Sequence, residues 1–145
     1  REGRTLRDKW QQEGTKTFLG LHSEGFPNLF IVSGPQGGGG SFNFTNAIEE
    51  HGDYVVWMLS TMRDKGADVV DVKSEPEEEY AAHCRQADQL TRPLRDCITY
   101  YNGHGEAEPG SLAYYGGGNW HKYRTRAQQT LDPYEFESRS QIVDR

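Results

Sequence analysis

The chain has 145 residues, which is enough for one domain with a core of its own. Its formal net charge of -6 argues against nucleic acid as the main partner, because phosphate contacts require clustered Lys and Arg. The sequence has no run of about 18 apolar residues that would predict a membrane span, and no signal peptide is recognisable. We therefore expect a cytoplasmic protein in which Cys84 and Cys97 are free thiols.

Residues 1–25 are polar and interrupted by glycines, with one amphipathic stretch at 6–10. The apolar run 26–33, bounded by Pro27 and Gly34, predicts a strand that is buried on both faces. Glycines occupy every position of 37–40 and predict a turn after that strand. The chain starts without Met, and we expect further sequence upstream of it.

The clearest helical pattern follows the glycine turn. Apolar or small residues recur at helical spacing and form one continuous face: Ile48, Gly52, Val55, Leu59 and Met62. Trp57 and Met58 are interpreted as core residues of the same helix and not as cofactor contacts. Asn46 and Glu49 have the spacing of a capping box at the start of this helix. A positive last turn and a glycine, at Lys65 and Gly66, predict its end.

The second half of the chain predicts further short elements. A valine-rich strand at 67–73 leads into a helix from 74 to about 90, whose acidic first turn is interpreted as a solvated helix start and not as a metal site. Short strands are predicted at 112–115 and 134–136, and Asn119 is predicted to cap a helix that ends near 129.

The order of strand, glycine turn and helix has a chemical meaning. A helix start presents unpaired N–H groups and a partial positive charge, which favour an anionic or electron-rich ligand edge. Glycines let a flat ring or a phosphate approach the backbone closely. The segment 33–41 contains neither GxGxxG nor the Lys-Ser of a P-loop, so its pattern alone also fits an ordinary turn.

Longer blocks carry a resemblance to a known family. The block 25–36, GFPNLFIVSGPQ, resembles the last FAD-domain strand of Baeyer–Villiger monooxygenases and their flavin monooxygenase relatives. The blocks 93–95, 99–103 and 115–124 resemble the active-site loop and closing segment of that family. The likeness runs from about Gly3 to Glu137. It implies an α/β fold: a C-terminal fragment of a Rossmann-like FAD-binding domain, with one central strand of a parallel sheet, helices, short strands and an incomplete sheet.

The resemblance also divides the chain into parts. Residues 1–25 would form an approach segment, and 26–66 would be the strand, glycine turn and helix that face the flavin. Residues 67–137 would be a helix and loop segment that closes the active site, and 138–145 a tail. All four would belong to the C-terminal portion of one FAD-binding monooxygenase domain.

The resemblance further implies site residues. Binding of FAD would fall to Gly34, Pro35, Gln36, Gly37, Asn43 and Asn46. The loop that contacts substrate or NADP would comprise Gly38, Gly39, Gly40, Ser41, Phe42, Tyr100, Tyr101 and Asn102. In that loop Tyr100, Tyr101 and Asn102 lie where many members of the family carry a Ser-Trp-Tyr stretch, and a Tyr replaces that Trp, which leaves the substrate class open. The chain is expected to contribute no catalytic side chain and no metal site.

The activity that the resemblance implies belongs to the whole enzyme, which uses FAD, NADPH and O2 to insert one oxygen atom next to a ketone carbonyl. The expected partners are a small-molecule ketone and the N-terminal half of the same enzyme, because this chain lacks both GxGxxG motifs. By itself the chain is expected to be inactive. Two alternatives stay open: a flavin monooxygenase that oxidises nitrogen or sulfur, and a non-catalytic fragment or partner-binding module.

Several polar and aromatic residues allow two interpretations of their role. Trp120, Lys122 and Arg124 fit a binding site for a nicotinamide phosphate, and they also fit a packed aromatic beside two solvated cations. His121 lies at a helix start, where it could bind phosphate or face solvent. His51 lies on a predicted helix without a Cys or carboxylate at ligand spacing, so a metal role is not expected for it.

Overall fold

A computed structural model describes residues 3–37, 43–87 and 117–138 of the chain. Within these ranges it contains four helices and a two-stranded sheet, in the order α1 (Leu6–Glu13), α2 (Phe44–Lys65), β1 (Val69–Val72), α3 (Ser74–Ala87), α4 (Gly117–Thr130) and β2 (Tyr134–Glu137). The two strands are antiparallel, with Val69 opposite Glu137 and Val72 opposite Tyr134. The α/β class is confirmed, but the parallel sheet around a central strand is not found in the described residues.

The predicted strand at 26–33 is wrong. The segment is a series of turns, in which the Leu29 N–H bonds to the Phe26 carbonyl and the Gly34 N–H bonds to the Ile31 carbonyl. The backbone takes left-handed φ values of 60° at Asn28 and 56° at Ser33, which an extended strand does not allow.

Asn28 nevertheless attaches this segment to the sheet. Its backbone N–H donates to the Val70 carbonyl at 2.9 Å, and its side-chain oxygen accepts from the Val70 N–H at 2.9 Å. One left-handed residue thus satisfies both backbone groups of Val70 at the free edge of β1, so the segment needs no strand geometry of its own to pair there.

The ends of α2 follow capping chemistry. Asn43, and not Asn46, is the N-cap, and its side-chain oxygen accepts the Thr45 N–H at 3.0 Å. Gly66 ends the helix in the left-handed conformation, with φ 64°, and its N–H bonds back to the Arg63 carbonyl. The predicted end is therefore confirmed, whereas the predicted capping box begins three residues too late.

The continuous face predicted for α2 is only partly buried: Met62 is buried and Val55 packs against the core, and Met58 is confirmed as a core residue. The residues that the rest of the chain covers are His51, Tyr54, Met58 and Met62. Two members of the predicted face are exposed instead, Ile48 by 39% and Leu59 by 52%. The helix therefore carries two apolar sides, and only one of them packs inside the described part of the chain.

Most of the remaining predicted helices and strands are confirmed, although some of their bounds differ. The strands at 67–73 and 134–136 are confirmed as β1 and β2, and the helix from 74 is confirmed as far as Ala87. The last helix is confirmed as α4, but it begins at Gly117, so Asn119 lies inside the helix and is not its cap. At the start of the chain, Thr5 and Asp8 form a capping box for α1, a longer helix than the stretch at 6–10 suggested. The strand predicted at 112–115 and Cys97 lie outside the described residues.

Aromatic rings fill the core between α2, α3 and the sheet. Phe18 meets the edges of Tyr80 and Tyr134, and the hydroxyls of Tyr54 and Tyr134 are hydrogen-bonded to each other. His22 lies among the same rings, and its burial lowers its pKa to about 3. This histidine is therefore a neutral member of the core.

A buried ion pair joins α1 to α3. The Lys9 ammonium is fully buried and lies 2.8 Å from the Glu77 carboxylate, whose side chain is 3% exposed. Lys9 also donates to the Ser23 hydroxyl and the Glu24 carbonyl, and the second Glu77 oxygen accepts the Glu24 N–H at 3.0 Å. Glu77 is thus a buried partner, so the interpretation of the whole acidic turn as a solvated face is wrong at this position.

Replacing one member of this pair leaves the other charge buried without its partner. We expect Lys9→Met to lower the free energy of unfolding by about 3–5 kcal/mol. The matched control is Lys16→Met, because Lys16 pairs with the half-exposed Glu78 and its loss costs about 1 kcal/mol or less. Urea unfolding measures both variants. Equal losses would contradict the assignment of Lys9–Glu77 as the buried tie.

Asp71 gives the fold a specific pH dependence. Burial, together with the nearby Glu24 charge, raises the pKa of Asp71 from 3.8 to about 6. Its contribution to stability is therefore complete below about pH 4 and is lost as the pH rises through 6. We expect Asp71→Asn, which keeps an acceptor for the Val72 N–H, to raise the free energy of unfolding at pH 8 by about 1 kcal/mol, allowing for its partial exposure.

At pH 3.5 the same substitution should leave the free energy of unfolding nearly unchanged, because Asp71 is then protonated in the folded state and mostly protonated in the unfolded state. Asp53→Asn, at an exposed position on α2, is the control at both pH values. A gain that is the same at pH 3.5 and pH 8 would contradict the raised pKa.

Candidate functional site

The predicted cofactor turn, of which the structure describes residues 33–37 and which is called the glycine turn below, packs tightly against the approach segment. A Cβ atom on Gly20 would lie 2.1 Å from the Gly37 Cα, and one on Gly34 would lie 2.5 Å from the Gly20 carbonyl oxygen. Gly20 also has a left-handed φ of 71°. The two backbones can approach this closely only because neither carries a side chain at the contact.

Gln36 holds this turn in place from inside. Its side chain is fully buried, and its oxygen accepts from the Thr17 N–H at 2.9 Å and from the Thr17 hydroxyl at 3.0 Å. Its amide nitrogen donates to the Thr15 carbonyl, and its own carbonyl accepts from the Tyr80 hydroxyl. Both polar atoms of the side chain are therefore engaged within the chain.

His51 joins the same turn to α2. Its Nδ1 accepts the Ser33 N–H at 3.0 Å, so the ring proton is on Nε2, which lies 3.2 Å from the Gly37 carbonyl oxygen and donates to it. Burial lowers the pKa of His51, although the bond to Gly37 opposes that shift. The imidazole is thus held neutral, with one nitrogen bonded at each end of the turn.

Helix α4 closes this group from the other side. The Trp120 ring is buried and stacks on His51, with 5.3 Å between the ring centroids, and its Nε1–H donates to the Leu19 carbonyl at 2.9 Å. The Arg124 guanidinium lies 5.4 Å from the centre of the Trp120 ring and forms an ion pair with Glu50. The packed aromatic is confirmed, whereas Arg124 is a paired residue and not a solvated cation.

A cavity of about 120 Å³ lies where the glycine turn, the first turn of α2 and the start of α4 meet. It is lined by Gly37, Asn46, Ala47, Glu50, His51, Trp120 and His121. Two of the predicted cofactor-binding residues, Gly37 and Asn46, are therefore brought to one cavity. Gly34, Pro35 and Gln36 form the turn behind it, and Asn43 caps the helix beside it.

The predicted substrate or NADP loop lies outside the described residues. This holds for Gly38, Gly39, Gly40, Ser41, Phe42, Tyr100, Tyr101 and Asn102. Glu50, His51 and Trp120 also line the cavity, and the sequence did not predict them there. His51 comes one helical turn after Ala47 and therefore lies on the same side of α2. With the helix start at Phe44, this spacing indicates that both residues reach the cavity.

Other kinds of site find no support in the described part of the chain. It contains no group of three or more side chains of the types that bind metals. Burial raises the pKa of the Cys84 thiol to about 12, so this cysteine is not a nucleophile at neutral pH. None of the helices in residues 3–37, 43–87 and 117–138 is both long and apolar enough to cross a bilayer.

Comparisons with known proteins agree with the resemblance seen in the sequence. No family model matches the chain. A Baeyer–Villiger monooxygenase of Streptomyces coelicolor is 33% identical over 137 residues, which are 91% of this chain and 22% of that protein. The Baeyer–Villiger monooxygenase peniC of Penicillium patulum is 30% identical over 119 residues, or 78% of this chain and 19% of the relative.

Solved structures give the same result. The polycyclic ketone monooxygenase of Thermothelomyces thermophila matches with a TM-score of 0.78 and 26% identity, over 96% of this chain and 24% of that protein. The fold and these relatives define a flavin-dependent monooxygenase class. Within that class the chain belongs to the Baeyer–Villiger monooxygenase family. It spans only about a fifth of the curated relatives that it matches.

The close approach of Gly20 to Gly37 predicts the effect of a single methyl group. We expect Gly20→Ala to lower the free energy of unfolding by about 2–4 kcal/mol, because the side chain enters the turn and occupies a left-handed position. The matched control is Gly52→Ala on α2, where nothing lies within 4 Å and alanine should stabilise the helix by about 0.5–1 kcal/mol. Denaturant unfolding checks both, and a tolerated Gly20→Ala would contradict the packing described.

Proposed function

We propose that this chain forms one wall of the flavin site in a Baeyer–Villiger monooxygenase. The proposed activity uses FAD, NADPH and O2 to insert one oxygen atom next to a ketone carbonyl, which gives an ester or lactone. The single observation that carries the proposal is the cavity at the start of α2, because its wall contains Gly37 and Asn46 from the segment that resembles the flavin-facing part of the family.

The donor groups at this cavity fit the edge of a flavin ring. The amides in the first turn of a helix have no acceptors within the helix, and the helix dipole adds positive potential at the same place. In α2, Asn46 provides such an amide and lines the cavity, whereas the Ala47 N–H, which also lies at the cavity wall, donates to the Asn43 carbonyl at 3.1 Å. We propose that the backbone from Gly34 to Gly37 and the α2 start at Asn43 to Asn46 hold the ring.

When bound, FAD would supply the redox and oxygen-transfer chemistry. The work of this chain would be to position the ring and to stabilise negative charge on its electron-rich edge with the α2 amides. The substrate and NADP contacts remain proposed for Gly38–Phe42 and for Tyr100, Tyr101 and Asn102. No side chain of this chain is proposed as an acid or a base.

The exposed apolar side of α2 supports a second part of the proposal. Large hydrophobic side chains remain exposed on and next to this helix: Val32 by 49%, Phe44 by 67%, Ile48 by 39%, Val56 by 64% and Leu59 by 52%. Side chains of this kind, gathered on one side of a helix, mark a surface that another protein part covers. We propose that the covering part is the portion of the family fold that this chain does not contain.

The chain alone should therefore be colourless and inactive with ketones. The direct test restores the rest of the fold by placing this chain in the Streptomyces coelicolor enzyme, in exchange for the matched 22% of that protein. We expect a yellow chimera that oxidises NADPH when a ketone is added and forms the ester. The unmodified S. coelicolor enzyme and the same enzyme without the segment are the controls.

Two outcomes would contradict the proposal, and they do so in different ways. A folded, monodisperse chimera that binds no FAD would show that the chain does not form a flavin wall. A yellow chimera that oxidises amines or sulfides but gives no ester would favour the alternative, a nitrogen- or sulfur-oxidising flavin monooxygenase. Gel filtration, the flavin absorbance and product analysis by mass spectrometry distinguish these results.

A further inference from the structure

His51 is the one side chain in the described residues that bonds both ends of the glycine turn. Its Nδ1 receives the Ser33 N–H at the start of the turn, and its Nε2 lies 3.2 Å from the Gly37 carbonyl at the end. The ring itself is fixed by stacking on Trp120, which is anchored in turn through its bond to Leu19. The stacked Trp120 ring and the hydrogen bonds at both nitrogens therefore fix the orientation of the imidazole.

We propose that His51 is a positioning residue, whose neutral Nε2–H form clamps the Ser33–Gly37 turn to α2 at the cavity. The clamp works only in this protonation state. A second proton on the ring would convert Nδ1 from an acceptor into a donor, and it would then face the Ser33 N–H, which is also a donor. Protonation therefore opens the Ser33 end of the clamp and leaves the Gly37 end closed.

The surroundings of His51 decide how readily it takes that proton. Among the described residues, Glu50 on the same helix and His121 on α4 line the same cavity as His51, and Arg124 lies over the Trp120 ring that stacks on the imidazole. Glu50 and Arg124 form an ion pair with each other, so their charges largely cancel at the ring. The glycine turn contributes no charged side chain. Burial is therefore the main influence on the pKa of His51. It lowers that pKa, so the imidazole is neutral at pH 7.

The consequence for the cofactor rests on the proposed function. Gly37 forms part of the cavity wall, and Ser33 begins the turn behind it. If the turn holds the flavin, the clamp fixes the distance between the turn and the first turn of α2. The clamp itself does not depend on the flavin, so it can be tested separately.

The first experiment uses nuclear magnetic resonance on the 145-residue chain. Nitrogen-15 shifts of His51 should report the Nε2–H form. We expect the Ser33 amide to exchange with solvent at least about 10-fold faster in His51→Phe and in His51→Gln, which lack an acceptor at Nδ1. His51→Asn places an oxygen near that position and should keep Ser33 protected. Asp53→Asn, an exposed change on the same helix, is the control.

The pH dependence separates a clamp from a merely structural contact. In the unchanged chain, Ser33 exchange corrected for the intrinsic rate should accelerate as His51 takes up its proton, and His51→Asn should abolish that step. Exchange at Met58, further along α2, should not follow it. An Nδ1–H tautomer, or loss of protection that is equal at Ser33 and Met58, would overturn the clamp.

The second experiment tests the consequence in the chimera with the S. coelicolor enzyme. We expect His51→Phe to weaken FAD binding about 10-fold or more, and His51→Asn to restore most of that loss. Unchanged FAD affinity in a chimera whose Ser33 clamp has been opened would overturn the role of His51 toward the flavin. A chimera that binds no FAD before any change at His51 would instead count against the proposed function.

Discussion

The contact between two glycine backbones, Gly20 and Gly37, is the constraint on which the candidate site depends. It brings the approach segment against the glycine turn at a separation that no side chain would permit. Gln36 then fills the space beneath the turn with four hydrogen bonds, one of them through its carbonyl to Tyr80. Because these contacts are internal, the turn has a fixed shape before any ligand arrives, and preorganised backbone donors are the kind that hold a cofactor effectively.

The same packing links the site to the rest of the fold. The Lys9–Glu77 pair ties α1 to α3, and Tyr80, one turn along α3, reaches the carbonyl of Gln36. Trp120 reaches the approach segment from α4 through the Leu19 carbonyl. A change at any of these ties would therefore alter the glycine turn. The exposed side of α2 has no such ties within the described residues, which is consistent with a chain that supplies one part of a larger enzyme.

The sequence predicted most helices and strands better than it predicted which of their sides are buried. Local signals located these elements: helical periodicity and the glycine stop for α2, the acidic first turn for α3, and short runs of valine or aromatic residues for the strands. Hydrophobic periodicity located the buried side of α2 only in part, at Met62, because the buried side also contains His51 and Tyr54, which are less apolar than the exposed Ile48 and Leu59. The run 26–33 was apolar enough for a strand, but hydropathy does not report the left-handed backbone at Asn28 and Ser33.

The candidate site was likewise predicted only in part. The resemblance located Gly37 and Asn46, whereas Glu50, His51 and Trp120 join the cavity through contacts between distant parts of the chain that no local pattern encodes. The most direct test of the central claim is a crystal structure of the chimera with FAD. The account predicts that the backbone of Gly37 and the start of α2 at Asn46 lie within about 4 Å of the flavin ring, in van der Waals contact. A ring bound elsewhere, with another segment between it and this turn, would contradict the account.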